Sequence, residues 1–150
     1  MNTAHLLRSS LLAIFITAFA GCAMHGPDGQ HARHHSPRPA LVLQVSDNDP
    51  GKWNLTLNNA RNAQSELGAD KVDIEIVVYG PGIHMLKADS VTSNRVAEAV
   101  KAGVKVVACQ NTMEVLKLTK ADMQASVSYV PAGVVELMKL QTAGWSYVRP

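Results

Sequence analysis

Apolar and polar positions divide the chain near residue 40, and beyond it short apolar runs alternate with longer stretches of helical spacing. Leu41-Val42-Leu43-Gln44-Val45 predicts a buried first strand. Ser46-Asp47-Asn48-Asp49-Pro50 predicts the start of a helix, with Asp49 capping free amides and Pro50 supplying a preset φ. That helix carries Trp53, Leu57, Ala60 and Leu67 inward and Asn54, Asn58, Asn59, Arg61 and Asn62 outward, and Gly68 stops it. Val72, Ile74, Ile76 and Val78 alternate with Asp73 and Glu75, so the second strand starts half exposed and ends buried. Gly80-Pro81-Gly82 predicts a sharp turn, followed by one helical turn over Ile83-His84-Met85-Leu86 and a helix from Ser90 or Ser93 to Gly103 with Val96, Ala99 and Val100 inward. Val104 to Cys109 predicts a third strand, and Asn111-Thr112-Met113-Glu114 matches a capping box for a short helix ending near Leu118. Thr119 to Met123 reads as a loop or single turn. Val127-Ser128-Tyr129-Val130 is a fourth strand ended by Pro131, a last helix puts Val134, Leu137, Met138 and Gln141 on one face before Gly144, and Trp145 to Val148 closes as a fifth strand. The alternation predicts an α/β fold: a three-layer α/β/α domain over 40–150 with a mainly parallel sheet of about five strands and right-handed crossovers.

The segment before residue 40 has a different character. Residues 1–22 hold Arg8, the apolar run Leu11 to Phe19, and Ala20-Gly21-Cys22, a signal peptide too short to span a membrane as a helix. The ending Phe19-Ala20-Gly21-Cys22 resembles a bacterial lipobox, which makes Cys22 the expected lipidation site and implies a membrane-anchored, periplasmic-facing lipoprotein of the outer membrane. Cleavage after Ala18-Phe19-Ala20, leaving a soluble periplasmic protein, is the alternative. Residues 23–39 are rich in His, Gly and Pro without apolar period and read as a flexible tether. His25, His31, His34 and His35 offer a weak metal-capture reading, without regular spacing or a Cys or acidic partner.

Charge removes one class of function. The formal net charge is +2, and from Ala40 onward 11 Lys and Arg face 11 Asp and Glu, so the domain is neutral and lacks the basic face of a nucleic-acid binder. The chain has two cysteines. With Cys22 lipidated, Cys109 is the one thiol left, unpaired in an oxidising compartment.

In a parallel sheet the carboxyl ends of the strands share one rim, where ligands bind. The sequence brings Ser46, Asp47 and Asn48 there from the first strand, Gly80, Gly82 and His84 from the second, and Cys109, Gln110, Asn111 and Thr112 from the third. A thiol before a capped helix feels the positive end of the helix dipole and the free amides of the first turn, which favour the thiolate. Cys109 is therefore the candidate catalytic residue, and the others are candidate ligand-binding residues. The plain alternatives are a small buried hydrophobe for Cys109, a loop residue for His84, and a turn plus helix cap for Asp47 and Asp49. Gly80-Pro81-Gly82 is neither a P-loop nor a dinucleotide fingerprint, and no cofactor is expected.

Taken in order, Ser46 to Pro50 with Trp53-Asn54, Tyr79 to Gly82, Gly103-Val104 leading to Ala108 to Thr112, and Val130 to Leu137 through Gln141, Gly144, Tyr147 and Pro150 resemble the DsrE/DsrF-like family of sulfur-relay-type small α/β proteins. The resemblance covers roughly residues 40–150. It implies a parallel-sheet α/β/α fold, association into homo-oligomers or mixed rings, a sulfur donor or acceptor protein as partner, and in some branches a cysteine carrying sulfur as a persulfide, at the position of Cys109. Cytoplasmic relay members work in a reducing compartment, whereas this chain begins with an export signal. Two functions follow as expectations: a periplasmic-side persulfide carrier or sulfurtransferase-like protein, or a non-catalytic ligand-binding or oligomeric module in which Cys109 is structural.

Overall fold

A computed structural model describes residues 38–150; the signal peptide, Cys22, the tether and its four histidines lie outside the described residues. Among the described residues nine regular elements follow one another: β1 (Ala40–Val45), α1 (Pro50–Leu67), β2 (Asp73–Val78), α2 (Ser93–Lys101), β3 (Lys105–Cys109), α3 (Gln110–Val115), β4 (Ser128–Val130), α4 (Gly133–Thr142) and β5 (Ser146–Val148). Short 3-10 turns span Gly80–Leu86 and Lys120–Asp122. All strand pairs are parallel, in the order β4-β3-β2-β1-β5. The domain is thus an α/β fold with a five-stranded, all-parallel sheet flanked by helices.

The strand order sets the layers. Successive steps from β1 to β4 move the chain one way across the sheet, and α4 returns it across the sheet to β5 beside β1. One face packs Leu43, Val45, Ile76, Val78, Val106 and Ala108 against Trp53, Leu57 and Ala60 of α1 and Val96 of α2. The opposite face is smaller, with Val42, Val77, Val107 and Val130 against Leu137, and Tyr79, Leu140 and Trp145 at its margin. The start of α1 is as expected: Asp49 accepts from Gly51 N–H at 2.7 Å and from Lys52 N–H at 3.4 Å, with Pro50 at the first helical position.

Four local expectations give way to the tertiary structure. The capping box at Asn111 and Glu114 does not form; α3 starts two residues earlier, Cys109 is itself the cap residue, and among the described residues no side chain caps that helix. A reciprocal box forms instead at Thr119 and Asp122. On α4 the stripe facing the sheet is Gly133, Leu137 and Leu140, so Val134, Val135 and Met138 face outward at 55%, 43% and 63% exposure. The two stripes share Leu137 and both carry apolar residues, so the sequence pattern alone does not choose between them. Leu67 is likewise exposed, at the far end of α1.

Glu75 is the fourth, placed on the wetter side of β2 by alternation but 1% exposed, because α4 covers that face. Its Oε2 lies 2.9 Å from Lys105 Nζ on the neighbouring strand, which also lies 3.9 Å from Glu136 of α4. Its Oε1 has no partner among the described residues. Burial pushes the Glu75 carboxyl above its usual range, and the Lys105 ammonium pulls it part of the way back.

Candidate functional site

Cys109 ends β3 and begins α3, and its side chain is turned towards the β4–α4 turn. Register explains this, since Cys109 pairs with Val130 and the residues after Val130 form that turn. The sulfur lies 3.9 Å from the Pro131 carbonyl, and the same carbonyl accepts from Asn111 N–H at 3.1 Å. The residue is 5% exposed. Burial alone is the largest influence on the thiol and disfavours its anion. Against it stand the Thr112 hydroxyl and the N–H groups of Gly133, Thr112 and Asn111, and together they hold the thiol below its ordinary value.

The missing cap explains where these donors come from. The first N–H groups of a helix have no partner within it, and α3 has no capping side chain to take them. Asn111 N–H goes to the Pro131 carbonyl, and these amides favour the thiolate without a capping hydrogen bond to the sulfur. Thr112 adds a second link, because its Oγ1 accepts from Gly80 N–H at 3.0 Å, which ties the β2 turn to α3.

Beside this arrangement a hollow of about 450 Å³ opens on the carboxyl rim, lined by Gly80, Pro81, His84, Asn111, Thr112, Val115 and Leu116. Of the residues expected from sequence, Gly80, His84, Asn111 and Thr112 come together on its wall, whereas Cys109, two residues before Asn111, is buried and does not line it. The others go elsewhere. Gly82 is buried, and a Cβ on it would stand 2.7 Å from the Val45 carbonyl oxygen, so it is a close-packing glycine and not a lining one. Gln110 lines a separate hollow with Met113, Glu114 and Tyr129.

Ser46, Asp47 and Asn48 do not reach the main hollow. Ser46 Oγ accepts from Gln44 Nε2 at 3.1 Å. Asp47 sits 3.1 Å from Lys52 and 3.3 Å from Arg149, which hold its carboxyl below the usual value, and its carbonyl accepts from Trp53 Nε1 at 2.8 Å. Asn48 is exposed. This group fastens α1 and the end of the chain to the rim. Sequence reasoning missed Pro131, Gly133 and Tyr79; a glycine two residues after a proline at a helix start was the available signal. Among the described residues no three His, Cys, Asp or Glu side chains are placed to share a metal ion, and no helix is long and apolar enough to cross a membrane.

A five-stranded parallel sheet with an unpaired thiol at its carboxyl rim defines a small α/β protein with one cysteine in its described part. The chain belongs to the DsrE/DsrF-like family, whose model matches residues 40–150. Among solved structures, it is similar to a protein of unknown function from Methanobacterium thermoautotrophicum, with 33% identity, 75% of this chain and 99% of the other covered, and a TM-score of 0.71. A conserved protein of unknown function from Bacteroides thetaiotaomicron shares the fold at 13% identity, with 74% and 94% covered and a TM-score of 0.61. A comparison with curated proteins found no match.

Proposed function

We propose that the protein handles sulfur as a persulfide carrier, with Cys109 as the acceptor and the hollow beside it admitting the donor. Membership of the DsrE/DsrF-like family implies sulfur-relay-type function, and one observation carries that role to this residue: Cys109, the free thiol among the described residues, stands at the carboxyl end of β3 against the β4–α4 turn, in surroundings that favour its thiolate. The transfer requires no oxidant. The Cys109 thiolate attacks the outer sulfur of a donor persulfide R–S–SH, the new sulfur–sulfur bond forms as the donor's own breaks, and the electron pair leaves with the donor as R–S⁻. The products are Cys109–S–SH and a thiolate that takes its proton from water.

The signal peptide and Cys22 support an exported, lipid-anchored location, where the donor or acceptor is a periplasmic-side protein and the domain works as a homo-oligomer. Incubation with polysulfide followed by mass spectrometry is expected to show added sulfur that disappears in Cys109→Ser. Absence of any adduct with polysulfide, thiosulfate and a protein persulfide ends the proposal. A second reading is favoured by the 5% exposure of Cys109, in which the rim binds a ligand and the thiol only packs. It wins if Cys109→Ala keeps function in cells while substitutions at Gly80 abolish it.

A further inference from the structure

Among the described residues Glu75 is the one charged side chain that is buried, at 1% exposure, and sulfur transfer makes no use of it. Its two oxygens are unequal: Oε2 lies 2.9 Å from Lys105 Nζ, while Oε1 has no partner among the described residues. The same ammonium lies 3.9 Å from Glu136 Oε1, in the first turn of α4. One cation therefore stands between two carboxylates, bonded to the first and at the edge of contact with the second. The rest of the surroundings are neutral or already engaged. β1 brings Val42 into register with Glu75, Asp73 on the same strand is held by Arg38 at 2.9 Å, and Lys139 of α4 is exposed.

Water separates the two carboxylates in kind. The Glu75 side chain is 2% exposed and the Glu136 side chain 17%, so solvent reaches Glu136 and leaves Glu75 to depend on Lys105 alone. Of the pair, Glu75 is the one that gains by becoming neutral, in keeping with burial pushing its carboxyl up against the pull of Lys105. Once it is neutral, the nearest anion to the ammonium is Glu136. Lys105 is half exposed and ends a flexible four-carbon stem, so the move needs no change in the backbone.

We propose that Lys105 is a proton-driven latch, bonded to Glu75 while that carboxyl is charged and passed to Glu136 when Glu75 takes up a proton from water. Acid thereby exchanges a link between β2 and β3 for a link between β3 and α4. The first turn of α4 follows directly on the turn whose Pro131 carbonyl stands against the Cys109 sulfur, so the latch tightens the segment beside the thiol as pH falls. The latch does not rest on the sulfur-handling reading and stands if that reading fails.

A side-chain carboxyl ¹³C titration of the glutamates by NMR tests it. Glu75 is expected to titrate with a midpoint above the ordinary 4.5, and the Glu136 carboxyl carbon to show an inflection at that same midpoint, lost in Glu75→Gln. Lys105→Met separates a handed-over ammonium from simple repulsion between the two carboxylates. With no cation to pass, the Glu136 inflection at the Glu75 midpoint should vanish while the Glu75 midpoint climbs further; repulsion alone would leave the inflection in place. A Glu75 midpoint at or below 4.5, a Glu136 carbon that ignores it, or an inflection that survives in Lys105→Met overturns the proposal. If Lys105→Met does not fold, Lys105→Gln, which keeps a donor without the charge, takes its place, and if neither folds the wild-type and Glu75→Gln titrations decide.

Discussion

The backbone N–H of Gly80 donates to Thr112 Oγ1 at 3.0 Å, joining the turn after β2 to the first turn of α3. With its oxygen occupied as an acceptor, the Thr112 hydroxyl has its own hydrogen to give, and it favours the Cys109 thiolate. Thr112→Val removes that donor and also leaves the Gly80 amide unpaired. A hydrogen bond to a charged group contributes about 1.5–3 kcal/mol, so the thiol midpoint should rise by about one to two pH units. Thr112→Ser should keep the wild-type midpoint. Alkylation rate against pH reads both.

Glu75 and Lys105 predict a stability that depends on which partner is removed. Lys105 is half exposed and can turn to water or to Glu136 when Glu75 is lost, whereas Glu75 without Lys105 is a buried carboxylate with no counter-charge. Lys105→Met should therefore cost about 1–3 kcal/mol in urea denaturation at neutral pH, and Glu75→Gln much less.

The same carboxyl sets a pH dependence. Burial first, against the pull of Lys105, raises its folded pKa above the unfolded value near 4.5, so the folded state holds the proton more tightly. The stability from that protonation is fully present below the unfolded pKa and is lost as pH rises through the folded one. Relative to wild type, Glu75→Gln should gain stability between about pH 4 and neutral pH, measured by urea titration at each. A constant difference across that range would show that Glu75 is not the group responsible.

Gly82 predicts a packing cost without a chemical one. A Cβ there meets the Val45 carbonyl oxygen at 2.7 Å, its carbon at 2.9 Å and Ser46 N at 3.0 Å, all backbone atoms of the β1 end that cannot swing aside. Gly82→Ala should lose about 1–3 kcal/mol of stability by urea denaturation. Its thiol midpoint should be unchanged wherever the protein remains folded.

The β1 rim residues predict the opposite pattern. Asp47→Asn and Asn48→Ala should leave both the thiol midpoint and sulfur loading unchanged, because Asp47 holds Lys52 and Arg149 and neither residue reaches the hollow. His84→Ala, on the hollow's wall, should slow loading without moving the midpoint. Loss of loading in Asp47→Asn would extend the site to β1.

Local signals carried far in this chain because the strands are short apolar runs and α1 is bracketed by Asp49-Pro50 and Gly68. Those features act within a few residues, so element order, the parallel sheet and the position of Cys109 at a strand end were legible before any contact was known. The partition of rim residues was not. Strand order places all of them on one edge, yet whether Asn111 and Thr112 face the same hollow as Gly80 while Asp47 turns to Arg149 depends on partners 32 and 102 residues away. The capping box failed for a related reason: Asn111 N–H goes to Pro131, a partner that local pattern does not contain.

By itself, then, the sequence determined the alternation of strands and helices, the neutral surface and the single thiol of the domain, since each rests on residue type and spacing alone. Only the tertiary structure decided that α4 lies across the second face on its Gly133, Leu137 and Leu140 stripe and that Glu75 is buried beneath it. It also decided that the Pro131 carbonyl stands against the Cys109 sulfur and takes the Asn111 N–H, because hydrogen bonds and close approaches across the sheet are set by which chain segments end up side by side.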